Sequence, residues 1–377
     1  MSFNARPSPL VPPEISAIIC EQVSNRGTLA VLCRTSSLFR AQAQHLLYRS
    51  VNLRECSMRG IKSWALSVTR NVHLAERVHF LTLRLPVSLD PSDAAKIAHA
   101  LSECVNLKVL KVASADGIFN RLPDCKHTWI IETCSFRLHK FQNSYFETKE
   151  LWMELFWKVQ EDIQVLSFPK GTSPLPVKFL PNLVAVHTSN LAGLPPDRPL
   201  QRIHTSVGND LSSLARYAQS LTTLNLTRHW SLSDRDITLS STTQTIANLL
   251  PQLCHLWLVE TRKDDISGLP PVSEPAPTKA IQNLSHLETF VFHTRNVGRL
   301  VDSNGTQTTA YLMDVPADIE SLGLVIMTVC PTLRRTDLGG EVALDEQLNC
   351  ILTRGATGEI QAEHGTEFDS DAVSMFW

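Results

Sequence analysis

Four side chains that could ligate a metal fall close together: Cys125, His127, Cys134 and His139. Their separations of 2, 7 and 5 residues lack the paired knuckles of structural zinc sites. The expectation is a loop beside core thiols, with no metal and no other cofactor. Nearby Trp129, Trp152, Phe156 and Trp157 suit core filling better than an aromatic cage. The chain holds no GxGxxG, no P-loop, no HExxH and no GxSxG. It is therefore not expected to be an enzyme.

A different set of residues suits recognition. From Val78 onward an apolar pattern recurs at i, i+3 and i+5: Val78-Leu81-Leu83, Leu107-Leu110-Val112, Leu138-Phe141, Ile163-Leu166-Phe168, Leu183-Val186 and Leu200-Ile203. It continues in Leu221-Leu224-Leu226, Leu253-Leu256-Leu258, Leu287-Phe290-Phe292 and Leu333 with Leu338. On a strand, side chains alternate between two faces, so positions i+2, i+4 and i+6 share the face opposite the leucines. That face would carry Arg84, Lys111, Lys140, His187, Arg202, His204, Asn225, His255, Trp257, His293, Arg335 and Asp337. Five Arg or Lys and four His stand there against one acid. Such a strip suits an acidic or phosphorylated peptide through charge-assisted hydrogen bonds.

The elements that must position these residues follow from the spacing. Start-to-start distances run from 17 to 46 residues, mostly in or near the leucine-rich-repeat range of one strand plus one return. Return helices are expected at Asp93–Cys104, Lys149–Val159, Leu211–Ala218 and Asp318–Val329. The units starting at 163, 183 and 200 are too short for a full helix. Proline-rich inserts at Pro169–Pro181, Gly193–Pro199 and Leu269–Pro277 interrupt the rest. An α/β class follows, as an irregular solenoid (a horseshoe) with a parallel sheet and a concave binding face.

Ahead of the repeat, Ile15, Ile18, Ile19 and Val23 fall on one face of a helix opened by Pro13. A second helix carries Leu29, Leu32 and Cys33, and a third Phe39, Ala43, Leu46 and Leu47. Three such helices in about 40 residues are too small to stand alone, so they must pack on a neighbour or a partner. The runs LVPPEISAII and LAVLCRTSSLFRAQAQHLLYRSVNL resemble the F-box, especially the version common in fungal F-box proteins. The likeness lies in Pro12-Pro13-Glu14-Ile15, Leu32-Cys33, Ser36 with Phe39-Arg40, and Ala43-Gln44 with Leu46 to Val51. Val11, Thr35 and the missing acid before the second helix depart from the family pattern. CVNLKVLKV, LPQLCHLWL, NLSHLETFVF and CPTLRRTDL likewise resemble the degenerate repeats behind F-boxes.

The resemblance implies a substrate-recognition subunit of an SCF-type (Skp–cullin–F-box) ubiquitin ligase. Leu10, Pro12, Pro13, Ile15, Leu29 and Leu32 would bind a Skp-family adaptor and, through it, a cullin–RING ligase. The repeat would hold an unknown protein substrate, and catalysis would reside in the partner subunits. The alternative is a non-enzymatic repeat scaffold whose N-terminal helices only cap the solenoid. The expected organisation is a helical module over 8–53, a connecting helix or linker over 54–75, the repeat domain over 76–353, and a disordered acidic tail over 354–377.

Composition narrows the setting. The 377 residues are 43% hydrophobic and 19% charged, with a net charge of −2, an ordinary globular balance. Residues 1–70 hold nine Arg or Lys against three acids, while 339–377 hold one Arg against eight acids. The N-terminal arginines lack aromatic interleaving, so no nucleic acid is expected. Nine scattered cysteines without a CxxC argue for free thiols in a reducing compartment. The proline-rich start has no apolar h-region, and no apolar run reaches a membrane span. A cytoplasmic or nuclear protein that does not engage a membrane is expected.

Overall fold

The computed structural model describes residues 12–114, 127–146, 150–168, 177–207, 211–230, 239–262, 274–275, 277–294, 299–301, 311–312, 316–343 and 346–365. Leu10 and Cys125 lie outside the described residues. The chain divides into two compact units, residues 1–164 with 178–182, and residues 165–177 with 183–377.

The first unit opens with the three expected helices, α1 (Pro13–Glu21), α2 (Arg26–Thr35) and α3 (Ser37–Arg49). Their starts have local causes. Proline occupies the first position of α1, where a backbone N–H would lack a partner anyway. The Asn25 side chain accepts from the Thr28 N–H, and Ser36 Oγ from the Leu38 N–H, capping α2 and α3. Cys20, Leu29 and Ala43 form a small core, with Val23, Leu32, Cys33, Phe39, Leu46 and Leu47 packed around it.

The chain then runs through β1 (Ser50–Leu53), α4 (Met58–Arg70), α5 (Val72–Ala75), β2 (Phe80–Leu85), α6 (Pro91–Glu103), β3 (Val109–Ser114), α7 (Trp129–Glu132), β4 (Lys140–Asn143) and α8 (Glu150–Val159). Strands β1 to β4 pair in sequence order, all parallel. The apolar members of the repeats are buried, as in Val78, Leu81 and Leu83. The stretch over 54–75, expected as a connecting helix or linker, holds α4, a core helix that buries Ile61, Trp64, Ala65 and Val68. An ion pair of 2.9 Å between Lys62 and Asp93 ties α4 to α6.

The second unit contains β5 (Val165–Phe168), β6 (Ala185–Thr188), β7 (Arg202–Val207), β8 (Thr223–Trp230), α9 (Leu239–Leu249), β9 (His255–Arg262), β10 (Glu274–Pro275), α10 (Thr278–Gln282), β11 (Thr289–Thr294), β12 (Arg299–Val301), β13 (Tyr311–Leu312), α11 (Pro316–Val329), β14 (Arg335–Ala343), β15 (Glu346–Arg354) and β16 (Ile360–Gly365). β5, β6, β7, β8, β9, β11 and β14 are parallel neighbours in that order. β15 and β16 complete the sheet antiparallel, and β10, β12 and β13 form a separate small sheet. Each of the ten repeat starts read from the sequence precedes a strand. The return at Leu211–Tyr217 is a 3-10 helix rather than an α-helix.

The acidic end is a correction. Residues 360–365 form β16, paired with β15 from Asn349↔Gly365 to Arg354↔Ile360. A turn holding Gly358 at a φ of 91° makes this reversal, a conformation natural to glycine. The ladder satisfies backbone groups without needing apolar periodicity, so the sequence pattern did not show it. Among the described residues no helix is long and apolar enough to cross a membrane.

Candidate functional site

The adaptor residues expected from the sequence separate into two environments. Pro12 and Ile15 are exposed, with Ile15 at 45%. Pro13 lies at the first turn of α1. Leu29 is a correction: it is buried in the core of the helical module, with Leu32 packed against that core, so Leu29 offers no free surface.

The apolar stripe of α1 turns the opposite way from an ordinary amphipathic helix. Ser16 and Cys20 are its fully buried residues, while Ile15, Ile18 and Ile19 face solvent. Val31 of α2 is also exposed. Offsets of 0, 3 and 4 put the three isoleucines on one side of α1.

On the sheets, the register lines the candidates up strand by strand within each unit. In the first unit Phe80 pairs with Val109 and Val109 with Lys140; Thr82 pairs with Lys111 and Lys111 with Gln142; Arg84 pairs with Ala113. Arg84, Lys111 and Lys140 therefore share the face opposite the buried leucines. Arg84, half-buried, lies 3.9 Å from the exposed Glu55. Lys140 is half-buried, and burial, helped by the nearby Lys111 charge, lowers its ammonium pKa to about 8.

In the second unit one row runs Arg202, Thr223, His255, Thr289, Arg335. The next runs Ser167, His187, His204, Asn225, Trp257, Val291, Asp337. The register of the short units is thus as read, yet the strip is not an open basic surface. Asn225, Trp257, Asp337 and His293 are 2%, 3%, 5% and 8% exposed. Strands about 4.8 Å apart let large neighbouring side chains cover one another. The Asn225 amide is buried, and among the described residues neither Oδ1 nor Nδ2 has a hydrogen-bond partner.

The charge expected there is also reduced. Asp337 Oδ1 lies 3.0 Å from His293 Nε2, and Asp337 Oδ2 lies 3.5 Å from an Arg335 guanidinium nitrogen. The imidazoles of His187 and His204 stack on each other; His187 Nδ1 lies 3.0 Å from Ser167 Oγ and His204 Nε2 lies 3.1 Å from Thr227 Oγ1. Burial, with a smaller contribution from His204, lowers His187 to about 3, and burial lowers His204 to about 4. Burial also lowers His255, against an opposing pull from Glu288. Near pH 6 the stacked pair therefore stays neutral, because the rings are too desolvated to charge.

No protein-family model matches this chain, and no curated protein matches it.

Of the Cys-His stretch, Cys134 is buried, and burial pushes its thiol up to about 12. The His127 ring meets Trp129 edge to face at 6.1 Å. Among the described residues no group of three or more potential ligands is close enough to hold an ion. The residues missed by sequence reasoning include Phe80, 40% exposed on the basic face of the first unit. Its i+2 position after Val78 is the signal that could have found it.

Proposed function

We propose that this protein is a non-catalytic recognition subunit of an SCF-type ubiquitin ligase. Its helical module would dock a Skp-family adaptor, and its repeat would act as a leucine-rich-repeat solenoid that holds a target protein. The observation that carries the adaptor reading is the outward isoleucine stripe of α1. Exposed apolar side chains clustered on one helix mark a contact surface. The repeat reading is supported by strands that pair in parallel in chain order within each unit, with helices or short turns returning between them. The mechanism would be proximity: a tethered target lysine meets a ubiquitin carrier at high effective concentration, on the order of millimolar for short tethers.

The test is co-purification of the full chain with a Skp-family adaptor and cullin. The double variant I15E/I18E should lose the adaptor while remaining folded. A wild-type chain that captures no adaptor, or a double variant that still does, would overturn the reading.

The second reading, a repeat scaffold with a helical cap, is favoured by other contacts. An Arg26 guanidinium nitrogen donates to the Ser50 carbonyl at 2.6 Å, and Arg77 donates to the Ala41 carbonyl at 3.0 Å. The His79 N–H bonds the Arg49 carbonyl. These tie the helices to the first strands, as a cap requires. In the scaffold case I15E/I18E changes no ligase association because there is none.

A further inference from the structure

β16 is the last strand of its sheet, hydrogen-bonded on one side to β15. The Gly355 N–H donates to the Glu359 carbonyl at 2.8 Å, one pair beyond Arg354↔Ile360. Bonded and non-bonded pairs alternate along an antiparallel ladder. The bonds to β15 therefore fall at Gln361, Glu363 and Gly365, while Ile360, Ala362 and His364 turn their main-chain N–H and C=O groups outward. The Arg354 N–H agrees, since it donates away from β16, to the Arg334 carbonyl at 2.8 Å. Among the described residues nothing pairs with this edge.

An open row of main-chain donors and acceptors is a template for another strand unless lysine, proline or a bulge blunts it. β16 reads Ile-Gln-Ala-Glu-His-Gly, with neither lysine nor proline, and its register with β15 runs without a shift. Gln361 to Gly365 are exposed. The segment is also complementary to itself. Laid antiparallel on a copy of itself about Ala362, it sets Ala362 opposite Ala362, Ile360 opposite His364 and Gln361 opposite Glu363. The outward groups of Ile360, Ala362 and His364 then meet, and each such pair can exchange two N–H···O=C bonds. The Gln361 amide can donate to the Glu363 carboxylate of the other copy, twice by symmetry. A shift of two residues one way sets Glu363 directly against Glu363, which like charge disfavours. The same shift the other way pairs fewer residues.

We propose that β16 is a self-association edge: two copies of this chain pair β16 to β16, antiparallel about a two-fold axis at Ala362, and so join their sheets. The contact is isologous and therefore closes at a dimer. One strand pair is a small interface, at the low end of specific contacts, so the dimer forms in a concentration-dependent way. This goes beyond the proposed function and does not rest on it.

Sedimentation equilibrium of the full chain should show monomer giving way to dimer between about 1 and about 100 µM. Ala362→Pro removes an outward N–H and leaves the bonds to β15 in place, as proline on an edge strand does. That variant should keep the wild-type melting temperature and raise the dimer Kd about tenfold, because each copy loses a hydrogen bond. Gln361→Glu creates two like-charge pairs across the axis and should raise Kd about fivefold, whereas Gln361→Lys creates two opposite-charge pairs and should lower it by a similar factor. A wild-type chain that stays monomeric throughout, or a dimer indifferent to Ala362→Pro, would overturn the proposal. So would equal responses to Gln361→Glu and Gln361→Lys, which would mean that Gln361 does not face Glu363. Should Ala362→Pro melt early, the two Gln361 variants decide alone.

Discussion

The imidazole rings of His187 and His204 lie face to face, 3.8 Å apart with 4° between their planes, on neighbouring parallel strands. Charging either ring would place a cation against its partner in a desolvated site. The pair therefore acts as neutral packing with two hydroxyl partners, not as an anion sensor.

A pH dependence of stability follows. Unfolded histidines titrate near pH 6.5, whereas these two stay neutral down to about 3 and 4. Between those limits the unfolded chain binds protons that the native chain does not. Stability should fall as pH drops below about 6.5, by about 1.4 kcal/mol per pH unit for each histidine once the unfolded rings are charged. Urea midpoints measured from pH 7.5 to pH 4.5 would show the slope. The double variant H187Q/H204Q should flatten it, and an equal slope in that variant would assign the effect elsewhere.

The two faces of the helical module should respond differently to substitution. Leu29→Ala removes a buried side chain and should cost about 2–4 kcal/mol. Ile18→Glu, on the exposed stripe, should change stability by less than about 0.5 kcal/mol. Thermal unfolding of the full-length variants checks both. A large loss for Ile18→Glu would mean that the stripe is covered within the protein.

Gly339 lies beneath the His293 ring, where an added Cβ would collide with Cε1 and Nδ1. Overpacking of this kind typically costs 1–3 kcal/mol. Gly339→Ala should therefore lower the melting temperature. Truncating the ring in a G339A/H293A double variant should recover part of that loss beyond the effect of H293A alone. Additive losses would refute the contact.

Truncation should discriminate within the acidic end. A chain ending at residue 353 loses β16 and the Arg354 guanidinium, which donates to the Leu333 and Met327 carbonyls at 3.0 and 2.6 Å. Hydrogen bonds from charged groups contribute about 1.5–3 kcal/mol each, so this chain should be several kcal/mol less stable. A chain ending at residue 365 keeps both and should be more stable than the chain ending at 353. Equal denaturation midpoints for the two truncations would contradict the role given to Arg354 and β16.

The sequence by itself determined the repeat phase. Two-residue alternation anchored on Val78, Leu107 or Leu253 leaves one choice of buried face, because a slip by one residue would bury Arg84, Lys111 or His255 in place of the leucines. It determined the three N-terminal helices equally, since Pro13 opens the first and apolar periodicity marks the second and third. Tertiary structure decided what those surfaces are worth. Whether the isoleucines of α1 face in or out depends on which side α2 and α3 cover, and periodicity identifies a stripe without saying what it meets. Whether Arg335 is available as a cation depends on Asp337, and whether His204 can charge depends on how deeply the fold buries its ring. β16 was invisible because an edge strand draws its hydrogen bonds from one neighbour and needs no apolar face of its own. Side-chain identity carries the pattern; desolvation and the charge of the nearest neighbour, which belong to the folded arrangement, decide the chemistry.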